Sequence, residues 1–303
     1  MPIVLETNLP NPLLHRGKVR DNYELDHKLL IVATDRISAF DEVLPCGIPD
    51  KGVVLNLLSA FWFDKTAHLV PNHLLQVITD VAQLNAYFPD YSYPSFLAGR
   101  SMVVKRVERI PLECVVRGYI TGSAWAEYVE RDTIHGCSSP LKLKESQQLP
   151  QPLFTPTTKA ESGHDEPLSM YEVAQLLGES LAEELKEKSI SIYRFAEEYA
   201  RTRGIIIADT KMEFGLIDNQ VVLIDELLTP DSSRFWDAGD YEVGHSQPSL
   251  DKQMVRDWLA ASGWNKEPPA PVLPDDLIQK TSDRYQEVYQ RLTGKTLHNM
   301  LNL

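Results

Sequence analysis

Residues 205–237, IIIADTKMEFGLIDNQVVLIDELLTPDSSRFWD, combine two apolar runs with a regular series of charges. Each run has the length and β-branched content of a buried strand, and Asp218-Asn219 between them is a turn signal. Asp209, Lys211 and Glu213 occupy alternate positions of the first run. Because successive side chains of a strand point to opposite faces, this spacing predicts a β-hairpin with one charged face and one apolar face. The apolar face would carry Ala208, Thr210, Met212 and Phe214.

The length of the turn decides which acid of the second strand joins the charged face. A two-residue loop pairs Glu213 with Ile224 and places Glu226 on that face, whereas a three-residue loop pairs Glu213 with Asp225. Clustered carboxylates repel one another, and a hard cation such as Mg²⁺, shared with substrate phosphates, is the simplest reason to keep them ionised. A solvated face with exposed salt bridges is the alternative interpretation.

Length and charge limit the classes of protein to which the chain can belong. A chain of 303 residues predicts two packed lobes or one large α/β domain. The formal net charge of -13 argues against a broad nucleic-acid-binding surface and against adhesion to an anionic membrane. Small anionic substrates are still compatible with the sequence, because they need only local positive groups or a bridging metal ion.

Cysteine usage and hydropathy indicate a cytoplasmic protein. The three cysteines are too few and too scattered for a disulfide framework or a thiolate metal site, which fits a reducing compartment. The start of the chain does not read as a secretory signal, and its apolar runs are far shorter than the ~20 residues of a membrane helix. We therefore expect no membrane partner, and the sequence gives no sign of an obligate protein partner.

The remaining periodicity predicts a mixed α and β chain. Residues 28–34 and 101–107 read as strands, and residues 53–70 have helical spacing. A capping box at Ser169 predicts the start of a long helical stretch that ends at Gly204. Two further helices are predicted, after Ser249 and after Asp275. Prolines between residues 136 and 168 predict an extended surface excursion.

Two segments are candidates for anion binding. Residues 16–25 place Gly17 beside Lys18 and Arg20, which could follow a polyphosphate, although the segment is not a P-loop and a basic surface turn is the alternative. Thr121-Gly122-Ser123 precedes a predicted helix, whose free N–H groups could bind an anion together with Arg117. An ordinary N-cap is the alternative there.

Two loops carry polar groups that are further candidates for a functional site. Residues 230–237 offer two hydroxyls and Arg234 in a turn, and residues 162–167 place His164, Asp165 and Glu166 together. The latter residue types suit acid–base work or metal binding, but adjacent polar loop residues are commonly only solvent-exposed. The sequence has no GxSxG, HExxH, GxGxxG or paired CxxC, which argues against hydrolase triads, zinc peptidases and Rossmann dehydrogenases.

Six segments, taken in order, resemble the SAICAR synthetase family (phosphoribosylaminoimidazole-succinocarboxamide synthase). They are GKVRD (17–21), ATDRISAFD (33–41), LECVVRGYITGSAW (112–125), TKAESGHDEP (158–167), ADTKMEFGL (208–216) and DELLTPDSSRFWD (225–237). The resemblance covers nearly the whole chain, and six ordered blocks are much more specific than any one of them. It also favours the functional interpretations over the alternatives given above.

The resemblance implies a reaction and a fold. ATP, L-aspartate and the carboxylated aminoimidazole ribonucleotide CAIR would give ADP, phosphate and the succinocarboxamide SAICAR in purine synthesis. Because a carboxylate is a poor electrophile, we expect this reaction to pass through an acyl phosphate. The implied fold is α+β and two-lobed, with an antiparallel-sheet N-terminal lobe (residues 1–108), an α/β C-terminal lobe (residues 109–303) and an ATP cleft between them, in a layout related to kinases and ATP-grasp enzymes. A small-molecule kinase and a catalytically silent nucleotide-binding regulator are the competing hypotheses.

The same resemblance implies roles for individual residues. ATP would be bound through Gly17, Lys18 and Arg20 at its phosphates, and through Lys105, Val107 and Arg109 beside adenine. Substrate anions would be bound by Arg117, Ser123, Lys211 and Arg234, with Ser38, Asp41, Lys159, Asp165 and Glu166 as further substrate-binding positions. Magnesium would be held by Asp209, Glu213 and Asp225. Lys211, Asp209 and Arg234 would be the catalytic groups. If Asp225 is a ligand, the alternation of strand side chains requires the three-residue hairpin loop.

Overall fold

The computed structural model describes residues 2–87, 89, 91–138, 142–159 and 165–301. The first part of the chain forms β1 (Leu13–Arg16), β2 (Arg20–Leu25), β3 (Lys28–Ala33), β4 (Arg36–Ala39), β5 (Glu42–Gly47), α1 (Lys51–Thr66), β6 (Leu74–Ile78) and β7 (Ser101–Lys105). The second part forms β8 (Glu108–Tyr119), α2 (Gly122–Arg131), β9 (Thr133–Ile134), β10 (Cys137–Ser138), β11 (Gln148–Phe154), β12 (Thr157–Thr158), α3 (Met170–Leu177), α4 (Glu179–Arg201), β13 (Ile205–Ile217), β14 (Gln220–Ile224), β15 (Ser233–Asp237), α5 (Gln253–Ala261), α6 (Asp275–Thr293) and α7 (Leu297–Leu301).

Two antiparallel sheets organise these elements. The N-terminal sheet has the strand order β1-β2-β3-β7-β6. The C-terminal sheet has the order β11-β8-β13-β14, with β12 added beside β8 and β15 beside β13. The long strand β13 therefore has β8 along one edge, and β15 and β14 in succession along the other. The α+β class is confirmed, and the C-terminal lobe, expected to be α/β, has helices on an antiparallel sheet.

The main core lies between the C-terminal sheet and its helices. Buried side chains of α4 and β13, such as Ile192 and Met212, belong to one apolar cluster with Trp62 of α1. The β4–β5 hairpin packs on the C-terminal helix α5, because Ile37 and Leu259 share a second cluster. N-terminal elements thus contribute to the C-terminal core. The proposed lobe boundary after residue 108 falls at the start of β8.

Most predicted helices form where their sequence signals place them. Ser169 and Glu172 make a reciprocal capping box at α3. α4 ends at Arg201, shortly before Gly204, which has a positive φ. The predicted surface excursion is only partly correct, because β11 and β12 pair with β8 inside residues 136–168. Within the described residues, no helix is long and apolar enough to cross a membrane.

A β-bulge changes the face to which Ala208 points. Ile207 is the cross-strand partner of Phe235 and Asp209 is the partner of Arg234, so Ala208 is the additional residue on β13. Ala208 packs with Trp236 in a separate cluster, while Met212 and Phe214 enter the main core. The prediction that Ala208 shares a face with Met212 was wrong, because strict alternation fails at a bulge.

The packing of α4 on β8 requires a residue without a side chain at position 118. The Tyr193 hydroxyl donates a hydrogen bond to the Ile207 carbonyl at 2.6 Å, and a Cβ at Gly118 would lie 1.8 Å from that hydroxyl oxygen. We expect Gly118→Ala to lower the free energy of unfolding by about 1–3 kcal/mol through overpacking. Urea denaturation tests this, with Gly17→Ala as the control, because a Cβ there would meet nothing closer than 3.5 Å. Equal effects of the two substitutions would contradict the packing argument.

Candidate active site

Two neighbouring strands, β8 and β13, place their charges on one face of the C-terminal sheet. Arg117 lies opposite Asp209, Val115 opposite Lys211, and Glu113 opposite Glu213. Because alternate residues of each strand share a face, these side chains form a double row, which we call the charged ladder: Glu113, Arg117, Asp209, Lys211 and Glu213. The charged face predicted from the spacing of β13 is therefore present, and β8 doubles it.

At one end of the ladder, two arginines share one carboxylate. Asp209 Oδ2 accepts a hydrogen bond from Arg117 Nη1 at 3.0 Å and another from Arg234, which is the cross-strand partner of Asp209 on β15. Arg117 also donates to Ser123 Oγ at 3.3 Å and to Thr155 Oγ1 at 3.1 Å. Burial, together with Arg234, lowers the pKa of Arg117 despite the favourable effect of Asp209. The pair of guanidinium groups carries more positive charge than Asp209 neutralises, which suits a phosphate.

A cavity of about 160 Å³ opens beside these arginines. Most of its lining residues are charged or carry a hydroxyl group, and two are apolar. The lining consists of Val115, Arg117, Asp209, Thr210, Lys211, Pro230, Asp231, Ser232, Ser233, Arg234, Asp251 and Arg256. The predicted residues Arg117, Asp209, Lys211 and Arg234 thus face one space. A cavity with guanidinium, ammonium and hydroxyl groups can bind a small molecule that carries both phosphate and carboxylate groups.

At the other end of the ladder, two lysines lie between two glutamates. Lys211 Nζ is 2.7 Å from Glu113 Oε1, and Lys159 Nζ is 3.0 Å from the same oxygen. Lys159 also pairs with Glu213. Although burial opposes it, Lys211 and Lys159 lower the pKa of Glu113. Burial, reinforced by Asp225, raises the pKa of Glu213. An additional cation near Glu213 would therefore favour its ionised form.

The hairpin has the two-residue loop, and Asp225 nevertheless reaches the ladder. Ile217 pairs with Gln220 and Glu213 with Ile224, and both turn residues have positive φ, as a type I′ turn requires. Asp225 itself has a φ of 65°, so the alternation of the strand ends before it. Asp225 can therefore approach the ladder without the three-residue loop that regular alternation would require. Although burial opposes it, Arg20 and Lys159 lower the pKa of Asp225.

The two basic residues of the β1–β2 turn take different partners. Arg20 Nη1 lies 2.9 Å from Asp225 Oδ1, and Arg20 Nη2 lies 2.7 Å from Glu226 Oε2. Lys18 Nζ lies 2.6 Å from Asp41 Oδ1, and both of these side chains are exposed. Arg36 holds the turn by donating hydrogen bonds to the carbonyls of Gly17 and Lys18. Arg20 thus connects the N-terminal sheet to the hairpin acids, whereas Lys18 is directed elsewhere.

The other predicted site residues lie in β4, where β7 leads into β8, and beside β12. Ser38 lies in β4, opposite Val43. Lys105, Val107 and Arg109 run from β7 into β8, and a Cβ at Gly215 would lie 2.5 Å from Val107 Cγ1. Glu166 exchanges backbone and side-chain hydrogen bonds with Thr158, the neighbour of Lys159. Asp165 directly precedes Glu166, whereas His164 lies outside the described residues.

Sequence reasoning missed several residues of the site. Glu113 could have been found, because it precedes Arg117 by four positions in a strand and so shares its face. Ser232 and Ser233 lie in the segment 225–237, but the sequence assigned them no individual role. Asp251 lies just before α5 and Arg256 lies in its first turn, and neither had a local signal. Only the three-dimensional arrangement brings α5 to the cavity.

A buried ion pair supports the loop that leads into β15 and Arg234. Lys51 Nζ lies 2.7 Å from Asp231 Oδ2, and its side chain is fully buried. Tyr285 donates a hydrogen bond to Asp231 Oδ1 at 2.7 Å. Although burial opposes it, Lys252 and Lys51 lower the pKa of Asp231. The loop position is therefore fixed from α1 and α6.

We expect Asp231→Asn to lower the free energy of unfolding by about 3–5 kcal/mol, because it leaves the Lys51 ammonium buried without a carboxylate. Urea denaturation with an unchanged m-value measures the effect. Asp276→Asn is the matched control, since Asp276 pairs with Lys280 on the exposed surface of α6. A loss no larger than that of the control would show that Asp231 is not required for the stability of the fold.

Of the three predicted magnesium ligands, Glu213 and Asp225 are better suited to a divalent cation than Asp209. Within the described part of the chain, no group of three or more His, Cys, Asp or Glu side chains is arranged to hold a metal ion. The acceptor oxygen of Asp209 is already shared by two arginines. Glu213 and Asp225 repel each other electrostatically, and a hard cation would relieve this repulsion. Magnesium commonly binds one or two protein carboxylates together with substrate phosphates. Glu213 and Asp225 can supply the carboxylates.

Relatives with known names match the chain over nearly its full length. Phosphoribosylaminoimidazole-succinocarboxamide synthase of Thermodesulfovibrio yellowstonii is 53% identical over 295 residues, covering 96% of this chain and 99% of that protein. The protein of the same name from Elusimicrobium minutum is 50% identical over 281 residues, covering 93% of this chain and 96% of the relative.

Solved structures agree with these relatives. SAICAR synthase of Saccharomyces cerevisiae, solved in complex with SAICAR, is 45% identical and superposes with a TM-score of 0.88, covering 97% of this chain and 99% of that one. A SAICAR synthetase in complex with ADP is 25% identical, with a TM-score of 0.66 and coverage of 93% and 98%. The sequence model of the SAICAR synthetase family matches residues 13–271. The chain therefore belongs to the SAICAR synthetase family.

Proposed function

We propose that this chain uses ATP to join the amino group of L-aspartate to the carboxylate of CAIR, and that the charged ladder with its cavity is where the reactants meet. The observation that carries the proposal is the placement of Arg117, Arg234, Lys211 and Lys159 along one sheet face beside Glu213. All three reactants are anionic, and this face supplies fixed positive groups in an otherwise acidic protein.

The chemistry requires activation of the CAIR carboxylate. Direct attack by an amine would have to expel an oxide-like leaving group, which is unfavourable. An oxygen of the carboxylate instead attacks the γ-phosphorus of ATP, and the bond from that phosphorus to ADP breaks. The aspartate nitrogen then attacks the acyl carbon of the acyl phosphate, phosphate leaves with the former carboxylate oxygen, and the nitrogen loses a proton. Fixed charges that neutralise the moving phosphoryl group lower the barrier of the first step.

Each end of the ladder has its own task in this proposal. Arg117, Arg234 and Ser123 hold the 5′-phosphate of CAIR, since a planar guanidinium fork matches phosphate oxygens. Lys211 and Lys159 neutralise the transferred phosphoryl group. Asp209 orients the two arginines instead of binding metal, because both donate to the same carboxylate oxygen. Arg20 orients Asp225.

The proposed cofactor is Mg²⁺, held by Glu213 and Asp225 together with ATP phosphates. When bound, the ion neutralises phosphate charge and so favours phosphoryl transfer. Arg20 keeps the Asp225 carboxylate in place through its ion pair. Gly17, Lys18, Lys105, Val107 and Arg109 are proposed for ATP, and Ser38, Asp41, Asp165 and Glu166 for substrates. The reaction is proposed to take place in the cytoplasm.

The deciding experiment measures ADP release from ATP and CAIR with and without L-aspartate. We expect ADP release to depend on aspartate and to match SAICAR formation mole for mole. Steady ADP release without aspartate, accompanied by a phosphorylated end product, would favour a small-molecule kinase. Nucleotide binding without turnover in any of these mixtures would favour a silent regulator.

Isotope transfer tests the acyl phosphate. CAIR labelled with ¹⁸O in its carboxylate should give one labelled oxygen in each released phosphate, because that oxygen becomes the bridging atom and leaves with phosphorus. Unlabelled phosphate from labelled CAIR would rule out the acyl phosphate while leaving the overall ligation intact.

A further inference from the structure

Glu113 and Glu213 face each other directly across two paired strands. Like charges in this position destabilise a sheet. Both side chains are also largely buried, with exposed fractions of 5% for Glu113 and 9% for Glu213, so water screens their repulsion poorly. An acid at position 113 therefore carries a cost in the folded protein. Neutralising the charge of Lys211 does not by itself explain this cost, because an acid could do so without lying opposite Glu213.

Lys159 is the group that both glutamates share. Its Nζ lies 3.0 Å from Glu113 Oε1 and also pairs with Glu213. Lys211 pairs with Glu113 at 2.7 Å. Glu113 thus has two lysine partners. Because Lys159 Nζ already lies within hydrogen-bonding distance of Glu113, Lys159 can give up Glu213 and keep Glu113 without a large movement of its side chain.

A divalent cation and the Lys159 ammonium would compete for the same carboxylate. A cation bound to Glu213 must displace the hydrogen bond from Lys159 and would repel the ammonium group. Without a second acceptor within reach, that ammonium would lose its partner in a partly buried position, which is costly. Glu113 provides this acceptor.

We propose that Glu113 is a positioning residue that draws Lys159 away from Glu213 and so frees the Glu213 carboxylate for a divalent cation. This inference rests on the proposed function and its metal site. Glu113 acts through Lys159, so its effect on cation binding depends on the lysine. A direct ligand, or a carboxylate acting only through space, would act whether or not the lysine is present.

A double-mutant cycle on Mn²⁺ binding tests the dependence. Mn²⁺ is titrated into the full chain with ADP present, and free Mn²⁺ is measured by electron paramagnetic resonance. We expect Glu113→Gln to weaken Mn²⁺ binding by about tenfold or more, as for other groups that orient a metal ligand. Lys159→Met should tighten Mn²⁺ binding, because it removes the competitor. In the Lys159→Met background, Glu113→Gln should change the affinity by less than about twofold.

Three results would overturn the inference. An unchanged affinity in folded Glu113→Gln would assign Glu113 a structural role only. An equal loss in both backgrounds would make Glu113 a ligand or a through-space charge. If Glu113→Gln does not fold, Lys159→Met alone decides, and binding that is unchanged or weaker contradicts the competition.

The control and the wild-type chain separate this inference from the proposed function. Glu187→Gln on the exposed side of α4 should leave Mn²⁺ binding unchanged. A wild-type chain that binds no Mn²⁺ with ADP would overturn both the metal site and this inference. Aspartate-dependent ADP release by the same preparation would then show that the ligation itself stands.

Discussion

Replacing Glu213 by Gln should lower kcat by about 10²–10³-fold, in the range seen when one preorganised electrostatic group is removed from an active site. The substitution keeps the size of the side chain and removes the charge that, with Asp225, is proposed to hold magnesium. We also expect a higher Mg²⁺ concentration for half-maximal rate. Steady-state kinetics at several Mg²⁺ concentrations measures both effects.

The fold should survive this change, because Gln is close to Glu in volume and Lys159 retains Glu113 as a partner. Glu187→Gln is the control, since that acid is exposed on α4 and remote in the chain from the ladder strands. A Glu213→Gln protein with wild-type rates at limiting Mg²⁺ would refute the ligand assignment. Loss of the folding transition would make the variant uninformative about catalysis, and Glu213→Asp would then be measured under the same conditions, with the same expected direction.

Replacing Arg117 by Met should lower kcat/KM for CAIR by about 10²–10³-fold, because the site loses charge-assisted hydrogen bonds of about 1.5–3 kcal/mol each. The loss should fall mainly on KM for CAIR and leave KM for ATP nearly unchanged, since Arg117 lies at the arginine end of the ladder, away from Glu213. Initial-rate measurements that vary one substrate at a time separate the two constants.

Two further variants sharpen this prediction. Arg131→Met is the matched control, because Arg131 ends α2 with an exposed side chain. Arg117→Lys keeps the charge but cannot form the planar fork, so we expect it to restore the activity only partly. A rise in KM for ATP that equals the rise for CAIR would contradict the division of the ladder into a ribotide end and a phosphoryl end.

The hairpin illustrates what local sequence can predict. Asp218-Asn219 and the alternating charges of β13 were sufficient for a two-stranded unit with a charged face, and both features are confirmed. The family predicted from the six ordered blocks is confirmed as well. Ala208 was assigned to the wrong face, and regular alternation was assumed to continue as far as Asp225. Both errors arise where the backbone leaves regular strand geometry, at a bulge and at a residue with positive φ.

Long-range pairing explains the residues that the sequence did not reveal. Strand spacing places Glu113 on the face of Arg117, but only the register of β8 with β13 sets it opposite Glu213. Arg256 reaches the cavity from α5, which local patterns could predict as a helix but could not place. The contacts of Arg20 with Asp225 and Glu226 were not foreseen, because they join the β1–β2 segment to the distant hairpin. Side-chain partners across separate elements depend on tertiary contacts, and a single sequence does not specify these locally.

The most direct test is a crystal of the chain grown with ADP and Mn²⁺, with anomalous scattering used to locate the ion. We predict an anomalous peak within coordinating distance of the Glu213 and Asp225 carboxylates, next to the nucleotide phosphates, with Lys211 and Lys159 beside it. A nucleotide bound with its ion elsewhere, and Glu213 and Asp225 directed away from the phosphates, would contradict the charged ladder as the place where the reactants meet.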